Sequence, residues 1–346
     1  MSVSPNGSCT ATAFQGFEAE ILRLRNSNRE HGETLDYLKW RYQSTAGAPD
    51  PRVYWLLDAA ERPIGMASAI FRPYSINATA GYVAVIGDIS IDKEWRGRGL
   101  GRTLLQFMTA DLDREHAGQP GLVIPTESAR RTLARVGWAT AGSLAPLIYV
   151  LEPSIYLRPL VRSERVARGL ARAVQSGTRL LARAFASPEG SLTIADSPRA
   201  AREFLLGQQT PRGVVQRILS PETLEWRYAQ HPRAKFQFAT YLRSGSTNGV
   251  LVFEERALER SCTICDLVAC SKRDLRDMLA HFILDVLSQS RVISVRLLLD
   301  DRHPARDCLL VLGFVPRPAE AAFQVHWLAG DAQSLQWRIS QGDKDT

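Results

Sequence analysis

The sequence predicts an α/β fold built as two tandem copies of one domain, each a mixed, twisted β-sheet flanked by helices. Three observations predict it. A strand-like run, Tyr82 to Ile91, enters the glycine turn Arg96-Gly97-Arg98-Gly99-Leu100-Gly101 and leaves as a helix-like run, Arg102 to Leu112. A set of landmarks around this unit recurs once, in the same order, further along the chain. The length of 346 residues and a hydrophobic content of 45% suffice for two ordinary cores.

The landmarks run as follows. Tyr37-Leu-Lys-Trp40-Arg41-Tyr42 returns as Thr223-Leu-Glu-Trp226-Arg227-Tyr228. A strand hairpin follows each, over Val53 to Phe71 and Phe236 to Glu254. Next comes a strand carrying an acid at the same place, Ile86-Gly87-Asp88-Ile89 and Ile264-Cys265-Asp266-Leu267. Helices over Thr103 to Leu112 and Arg276 to Leu287 lead to short strands, Leu122 to Ile124 and Val295 to Leu299. Ala129 with Gly137-Trp138 matches Ala305 with Gly313-Phe314. The offsets are 186, 178 and 176 residues in chain order, a drift that unequal loops produce. A repeat of this length means duplicated domains, not a solenoid. The expected division is residues 1–153, a connector at 154–190, and 191–346.

The copies differ where chemistry is expected. Glycines at a strand-to-helix junction let the backbone come close to a ligand and aim several N–H groups at one spot. The helix N-terminus adds partial positive charge, and Arg96, Arg98 and Arg102 add more. Such a turn suits a pyrophosphate. It is not a P-loop, which needs Gly-Lys-Ser/Thr, nor a dinucleotide fingerprint, whose third glycine is missing. The second copy has Ala269-Cys270-Ser271-Lys272-Arg273-Asp274-Leu275 at this place, without a glycine. One ligand site is therefore expected, in the first copy.

This stretch resembles motif A of the GNAT acyl-CoA-dependent N-acetyltransferases, a strand followed by Arg/Gln-x-x-Gly-x-Gly/Ala and a helix. Arg96, Gly99 and Gly101 fill the defining places. Tandem GNAT proteins of a bacterial group linked to exopolysaccharide production are similar in their Trp-Arg/Lys-Tyr word followed by His/Asn-Pro, here Trp226-Arg-Tyr and His231-Pro232. The tail Trp337 to Asp345 is also similar. The resemblance implies acetyl-CoA, or another acyl-CoA, held by Arg96, Gly97, Arg98, Gly99, Leu100, Gly101 and Arg102. It implies a splayed strand whose Ile89, Ser90 and Ile91 backbone lies beside the thioester. The implied reaction is direct attack of a primary amine, on a small molecule, an amino sugar or a glycan intermediate. Two alternatives stay open: a non-catalytic acyl-CoA-binding regulator, and transfer of a longer acyl chain from CoA or a carrier protein.

The attacking amine must be neutral, so a base takes its proton, and the leaving thiolate takes one from an acid. Asp88, one residue before the splay, is a candidate for anchoring or deprotonating the amine; its alternative is a structural carboxylate, because Asp266 recurs in the copy without the loop. Glu127 is a second candidate base, with a helix N-terminal charge as its bland reading. The family's tyrosine acid would fall at position 133, which is Leu133. Tyr149 or Ser128 is then the expected replacement, or water. Trp40 and Trp226 read as core residues more readily than as borders of an acceptor site.

The connector is strongly basic. From 156 to 185 there are seven arginines and one acid, Glu164, a net +6 that nearly equals the whole-chain +7. At about 100° per residue Arg165, Arg168, Arg172, Arg179 and Arg183 share one stripe, opposite Val166, Leu170, Val174, Leu181 and Phe185. This predicts an amphipathic helix, interrupted near Gly177. It serves either as a linker packed by its apolar face or as a peripheral contact, through the arginine stripe at 161–185, with an anionic membrane face. No nucleic-acid reading motif accompanies the stripe. No apolar run has the length of a membrane span and Met1 to Gln15 has no signal-peptide core, so a cytoplasmic protein is expected. Cys262-x-x-Cys265, with Cys270 and Cys308, lacks a second ligand pair. It reads as buried reduced thiols, with no metal expected.

Overall fold

The computed structural model describes residues 8–29, 32–45, 47–158, 161, 163–288, 290–326 and 335–344; Asp345 and part of the connector (159, 160, 162) lie outside them. In the first half, β1 (Ser8–Ala13) precedes α1 (Glu18–Asn26) and α2 (Leu35–Arg41). Then come β2 (Arg52–Leu57), β3 (Pro63–Ile76) and β4 (Thr79–Ile91), the glycine turn, α3 (Leu100–Glu115), β5 (Gly121–Val123), α4 (Glu127–Arg135) and β6 (Ala139–Val150). The connector forms α5 (Pro153–Leu157) and α6 (Glu164–Phe185).

The second half opens with β7 (Gly190–Ala195), α7 (Arg202–Leu206), β8 (Val214–Arg217) and α8 (Pro221–Leu224). It continues with a π-helical turn over Glu225–Ala229, β9 (Gln237–Arg243), β10 (Ser246–Arg256), β11 (Ser261–Ala269) and α9 (Lys272–His281). Last are β12 (Ser294–Asp300), α10 (Ala305–Val311), β13 (Val315–Pro316), β14 (Ala321–His326) and β15 (Gln336–Arg338).

The predicted sheets are present, but they are joined. Strand order is β1-β2-β3-β4-β5-β14-β6-β12-β11-β10-β9-β7. This order is a palindrome in terms of the repeat: β1 to β5 of one half match β7, β9, β10, β11 and β12 of the other. Each half hands one late strand, β6 or its counterpart β14, to its partner. β14 pairs antiparallel with β5, through Gln324↔Val123 and Val325↔Leu122. β6 pairs antiparallel with β12 from Val150↔Ser294 to Leu144↔Asp300. The central β6–β14 pair is itself antiparallel, which a two-fold relation between the halves requires. The exchange leaves no open sheet edge at the junction. The halves also share a core there, where Tyr74, Val83 and Leu122 meet Val215, Leu298 and Phe323. Residues assigned from sequence to separate domains thus form one continuous sheet.

Helix α6 is uninterrupted from Glu164 to Phe185, in place of the predicted break at Gly177. Only its alanines Ala167, Ala171 and Ala182 are buried, while Val166, Leu170, Val174 and Leu181 stay 43–52% exposed. The small alanines let the helix lie close on the second half, and the larger apolar stripe looks outward beside it. Glycine costs only about 1 kcal/mol in a helix interior, too little to break a helix docked by its neighbours. All five cysteines are free thiols. Cys262, Cys265 and Cys308 are buried, and Cys270 is exposed just past the end of β11.

Candidate functional site

The glycine turn sits at the start of α3 for local reasons. Gly97 and Gly99 have φ of +77° and +78°, the left-handed region that a side chain resists. Gly99 is the residue from which α3 departs. A Cβ built on either glycine meets nothing within 4 Å, so their faces look into open space. Among the described residues the N–H groups from Gly97 to Gly101 donate to no backbone carbonyl; the first bond inward is Arg102 N–H to Gly99 O at 2.9 Å. This is a run of unsatisfied donors at the positive end of a 16-residue helix.

The arginines divide into two kinds. Arg96 is structural: its Nε donates to Ile91 O at 3.0 Å and its Nη2 to Asn28 Oδ1. Asn28 also donates to Ser90 Oγ at 2.6 Å. Asn28 therefore ties the turn and β4 to the end of α1, a link the sequence reading missed, since nothing local marks it. Arg98 lies over the Trp95 ring at 5.0 Å and donates to Glu94 O. Arg102 is exposed on the first turn of α3. Both present positive charge to the mouth of the turn.

β4 separates from β5 just before this turn. Their parallel pairing runs from Ala84↔Gly121 to Ile86↔Val123 and stops, although β4 continues to Ile91. On its other side β4 carries a bulge. Ser68 faces Gly87 and Met66 faces Ser90, so Asp88 and Ile89 together oppose Ala67. Asp88 takes φ +54° there. Backbone of Ile89, Ser90 and Ile91 is thereby left without a partner from β5, next to the amides of the turn.

The four carboxyl and hydroxyl candidates, Asp88, Glu127, Tyr149 and Ser128, fare differently. Asp88 has no exposed side-chain surface and faces away from the gap into an ionic cluster. Arg25 pairs with it directly, Arg41 Nε lies 3.4 Å away and Tyr42 donates its hydroxyl at 2.7 Å. Gly87 is required beside it, because a Cβ there would meet Arg41 Nη2 at 2.7 Å. Glu33 completes the cluster through Arg25 at 2.5 Å; burial pushes its carboxyl up, but Arg25 and Arg29 outweigh that and hold it below its ordinary value. Asp266 repeats the arrangement in the second half, bound by Arg217 and Tyr228, with Ser340 donating at 3.0 Å. Asp88 is therefore placed as the structural carboxylate. The reading of it as a base is corrected by its burial: an acceptor amine has no route to it.

Tyr149 is also corrected. It is 1% exposed and belongs to the second half's core, because β6 crosses to pair with β12. Its ring packs on Phe314 at 5.2 Å, and burial pushes its phenol pKa up. It cannot serve the turn of the first half. Glu127 lies at the start of α4, past the point where β4 and β5 part. It is 64% exposed and pairs with Arg130 at 2.8 Å. Ser128 sits beside it, exposed, and Leu133 is fully buried in the first-half core. No tyrosine therefore occupies the place of the family's acid.

Comparison with known proteins agrees with this construction. Residues 19–138 match the model of the acetyltransferase (GNAT) family. Among solved structures, a probable N-acyltransferase from Enterococcus faecalis V583 is similar at TM-score 0.66 and 12% identity, over 95% of this chain and 74% of that one. A GCN5-related N-acetyltransferase from Anabaena variabilis is similar at TM-score 0.64 and 13% identity, over 93% of this chain and 73% of that one. A tandem GNAT protein from the clavulanic acid biosynthesis pathway is similar at TM-score 0.55 and 12% identity, over 94% of this chain and all of that one. Identities this low speak for the fold alone. A search of curated proteins returned no significant match. Residues 19–138 thus match a domain of the acetyltransferase (GNAT) family, and the chain as a whole shares the fold of these solved structures.

Proposed function

We propose that the protein transfers an acyl group, most simply acetyl, from acyl-CoA to a primary amine. The observation that carries this is the coincidence of free amides from Gly97 to Gly101 with the parting of β4 and β5 after Ile86↔Val123. The turn is fitted to a pyrophosphate by its open glycine faces and by Arg98 and Arg102. CoA, when bound there, supplies the activated thioester. Ile89, Ser90 and Ile91, held against β3 but without a partner from β5, present the backbone that would hold the pantetheine arm and, through an N–H, the oxygen that gains charge on attack.

In the reaction the amine nitrogen bonds to the thioester carbon, the C–S bond breaks, the amine loses a proton and the thiolate gains one. Glu127 is the exposed carboxylate beyond the gap and is assigned as the base, directly or through water. With Leu133 in place of tyrosine, water protonates the thiolate. An amino sugar or glycan intermediate is the proposed acceptor; the support is the likeness of the Trp226-Arg-Tyr and tail words to the exopolysaccharide-linked group. The buried Leu133 also favours a second reading, an acyl-CoA binder without turnover. Thiol release from acetyl-CoA against a panel of amines, amino sugars included, separates the two. Release with at least one acceptor, lowered in Glu127→Gln, supports transfer; background release with every acceptor supports the binder.

No described helix is long and apolar enough to cross a membrane. The net charge of the connector, with the exposed Val166, Leu170, Val174 and Leu181 of α6, suits peripheral contact with an anionic lipid surface. Flotation with anionic liposomes, lost when the five stripe arginines become glutamine, is the corresponding test; wild type that never floats removes this partner.

A further inference from the structure

The second half keeps the strand gap and lacks the glycine turn. β11 pairs with β12 only from Ser261↔Ser294 to Ile264↔Leu297, yet β11 continues to Ala269 and β12 to Asp300. A cavity of about 730 Å³ opens there, within the range of small-molecule sites. It does not suit CoA. Ser271 caps α9 by accepting from Asp274 N–H at 3.1 Å and donates to the Asp274 carboxylate at 2.5 Å, and Arg243 secures that carboxylate at 3.1 Å. The start of α9 is thus occupied by its own cap and the Asp274–Arg243 pair, and no glycine there lets the backbone come close to a pyrophosphate.

The walls are mainly apolar, with Leu205, Ile218, Leu267, Leu275, Leu297 and Leu299 among them. The hairpin between β3 and β4 of the first half closes one side through Ser75, Ala78 and Ala80. Against these walls stand two polar groups that want an acceptor. Arg338 spends Nη1 on Gln216 at 3.2 Å, and its half-buried side chain lines the cavity. His303 takes the Ala305 N–H on Nδ1 at 3.2 Å, which leaves its proton on Nε2 as a donor. Burial, with Arg338 nearby, pushes the His303 pKa down to about 4, so the ring is a neutral donor at neutral pH. The neighbouring acids are committed elsewhere. Asp266 and Asp343 share Arg217, with Tyr228, Tyr74 and Ser340 as further donors. Asp300 accepts from Ile339 and Arg302 N–H, and its charge also bears on Arg338.

We infer that this cavity is a second ligand site, for a carboxylate with an unbranched apolar tail. Arg338 and His303 take the carboxylate and the leucine walls take the tail. A carboxylate makes charge-assisted hydrogen bonds with a guanidinium and accepts a further one from the imidazole N–H. The site is independent of the glycine turn and of the reading placed on it.

Calorimetric titration of the whole protein with acetate, butyrate, hexanoate, octanoate and decanoate tests it, with the matching primary amides as controls. The expected result is saturable binding that tightens by about three- to fourfold per methylene until the cavity is full. The amides bind at least tenfold more weakly. Arg338→Gln and His303→Gln each weaken octanoate at least tenfold. Ala80→Trp, on the exposed hairpin at the mouth, blocks binding with an unchanged melting temperature, which keeps the test open if the Arg338 variant unfolds. Gly99→Glu with Gly101→Glu leaves octanoate binding intact. No saturable binding at any length, equal binding of amides, or undiminished binding by Ala80→Trp overturns the inference.

Discussion

The indole N–H of Trp40 donates to the carbonyl of Trp226 at 2.8 Å, and the indole N–H of Trp226 donates to the carbonyl of Trp40 at 3.0 Å. The two rings stack at 5.3 Å and 20°. The residues are 186 apart in sequence and occupy the same place in the two copies, so the pair is a self-complementary contact across the pseudo-two-fold axis. Each ring satisfies the other's polar group while both lose water. Arg72 lies 4.1 Å over the Trp226 ring and adds a cation–π contact. Trp226→Ala is expected to cost about 3–5 kcal/mol in urea unfolding. The Trp40→Ala, Trp226→Ala double variant should cost less than the sum of the singles, by about 1 kcal/mol or more. Strict additivity would mean that the two rings do not act as a unit.

His231 packs edge-on against Trp40 at 4.4 Å. Burial, and then the charges of Arg227 and Arg233, push its pKa down to about 4. The unfolded chain binds this proton near pH 6.5, so between about 6.5 and 4 the unfolded state holds more protons than the folded one. The stability it contributes is present above that window and is lost as pH falls through it. Asp300, raised to about 6 by burial, works in the opposite direction. The informative quantity is therefore the difference between His231→Gln and wild type. Melting temperatures from pH 7 to pH 4 should fall less steeply in the variant; parallel curves would remove His231 from the pH response.

Asp88 and Glu127 should separate stability from turnover. Asp88 is enclosed by Arg25 and Arg41, and removing one member of a buried ionic cluster strands the other charges. Asp88→Asn is expected to destabilise by about 3–5 kcal/mol. Glu127→Gln, at an exposed helix start, should change stability by less than about 1 kcal/mol. Chemical denaturation of both variants checks this, and a stable Asp88→Asn would contradict the structural placement of that residue.

The strand exchange makes a statement about fragments. A fragment of residues 1–153 leaves β5 without β14 and β6 without β12. It should not give a cooperatively melting monomer, whereas a mixture with 154–346 should recover a cooperative transition. Circular dichroism with light scattering reads both outcomes. A monomeric fragment that melts cooperatively would show that the exchange is dispensable.

What the sequence made legible follows from range. The glycine turn is local: Gly97, Gly99 and the helix after them are fixed by backbone geometry within six residues. The repeat was legible because landmark words keep their order whatever their partners. Strand exchange was not, since the alternation of β6 reads the same beside β5 or β12, and that choice decided where Tyr149 went. The enclosure of Asp88 depends on Arg25 and Arg41, delivered by helices whose docking no local pattern records. The recurrence of Asp266 in the copy without the turn was the one signal that pointed to a structural carboxylate. The gap in the second half was equally hidden, because Arg338 reaches it from β15 and His303 from the loop after β12.

The central claim is that the turn at Arg96 to Gly101 holds acyl-CoA. Thermal unfolding with and without acetyl-CoA tests it most directly, in wild type and in Gly99→Glu with Gly101→Glu. A ligand that binds only the folded state at about a hundred times its Kd adds about 2.7 kcal/mol, so wild type should melt measurably higher with acetyl-CoA present. The variant fills the open faces of the turn with side chains and negative charge, and should show no shift. An equal shift in both proteins would contradict the assignment.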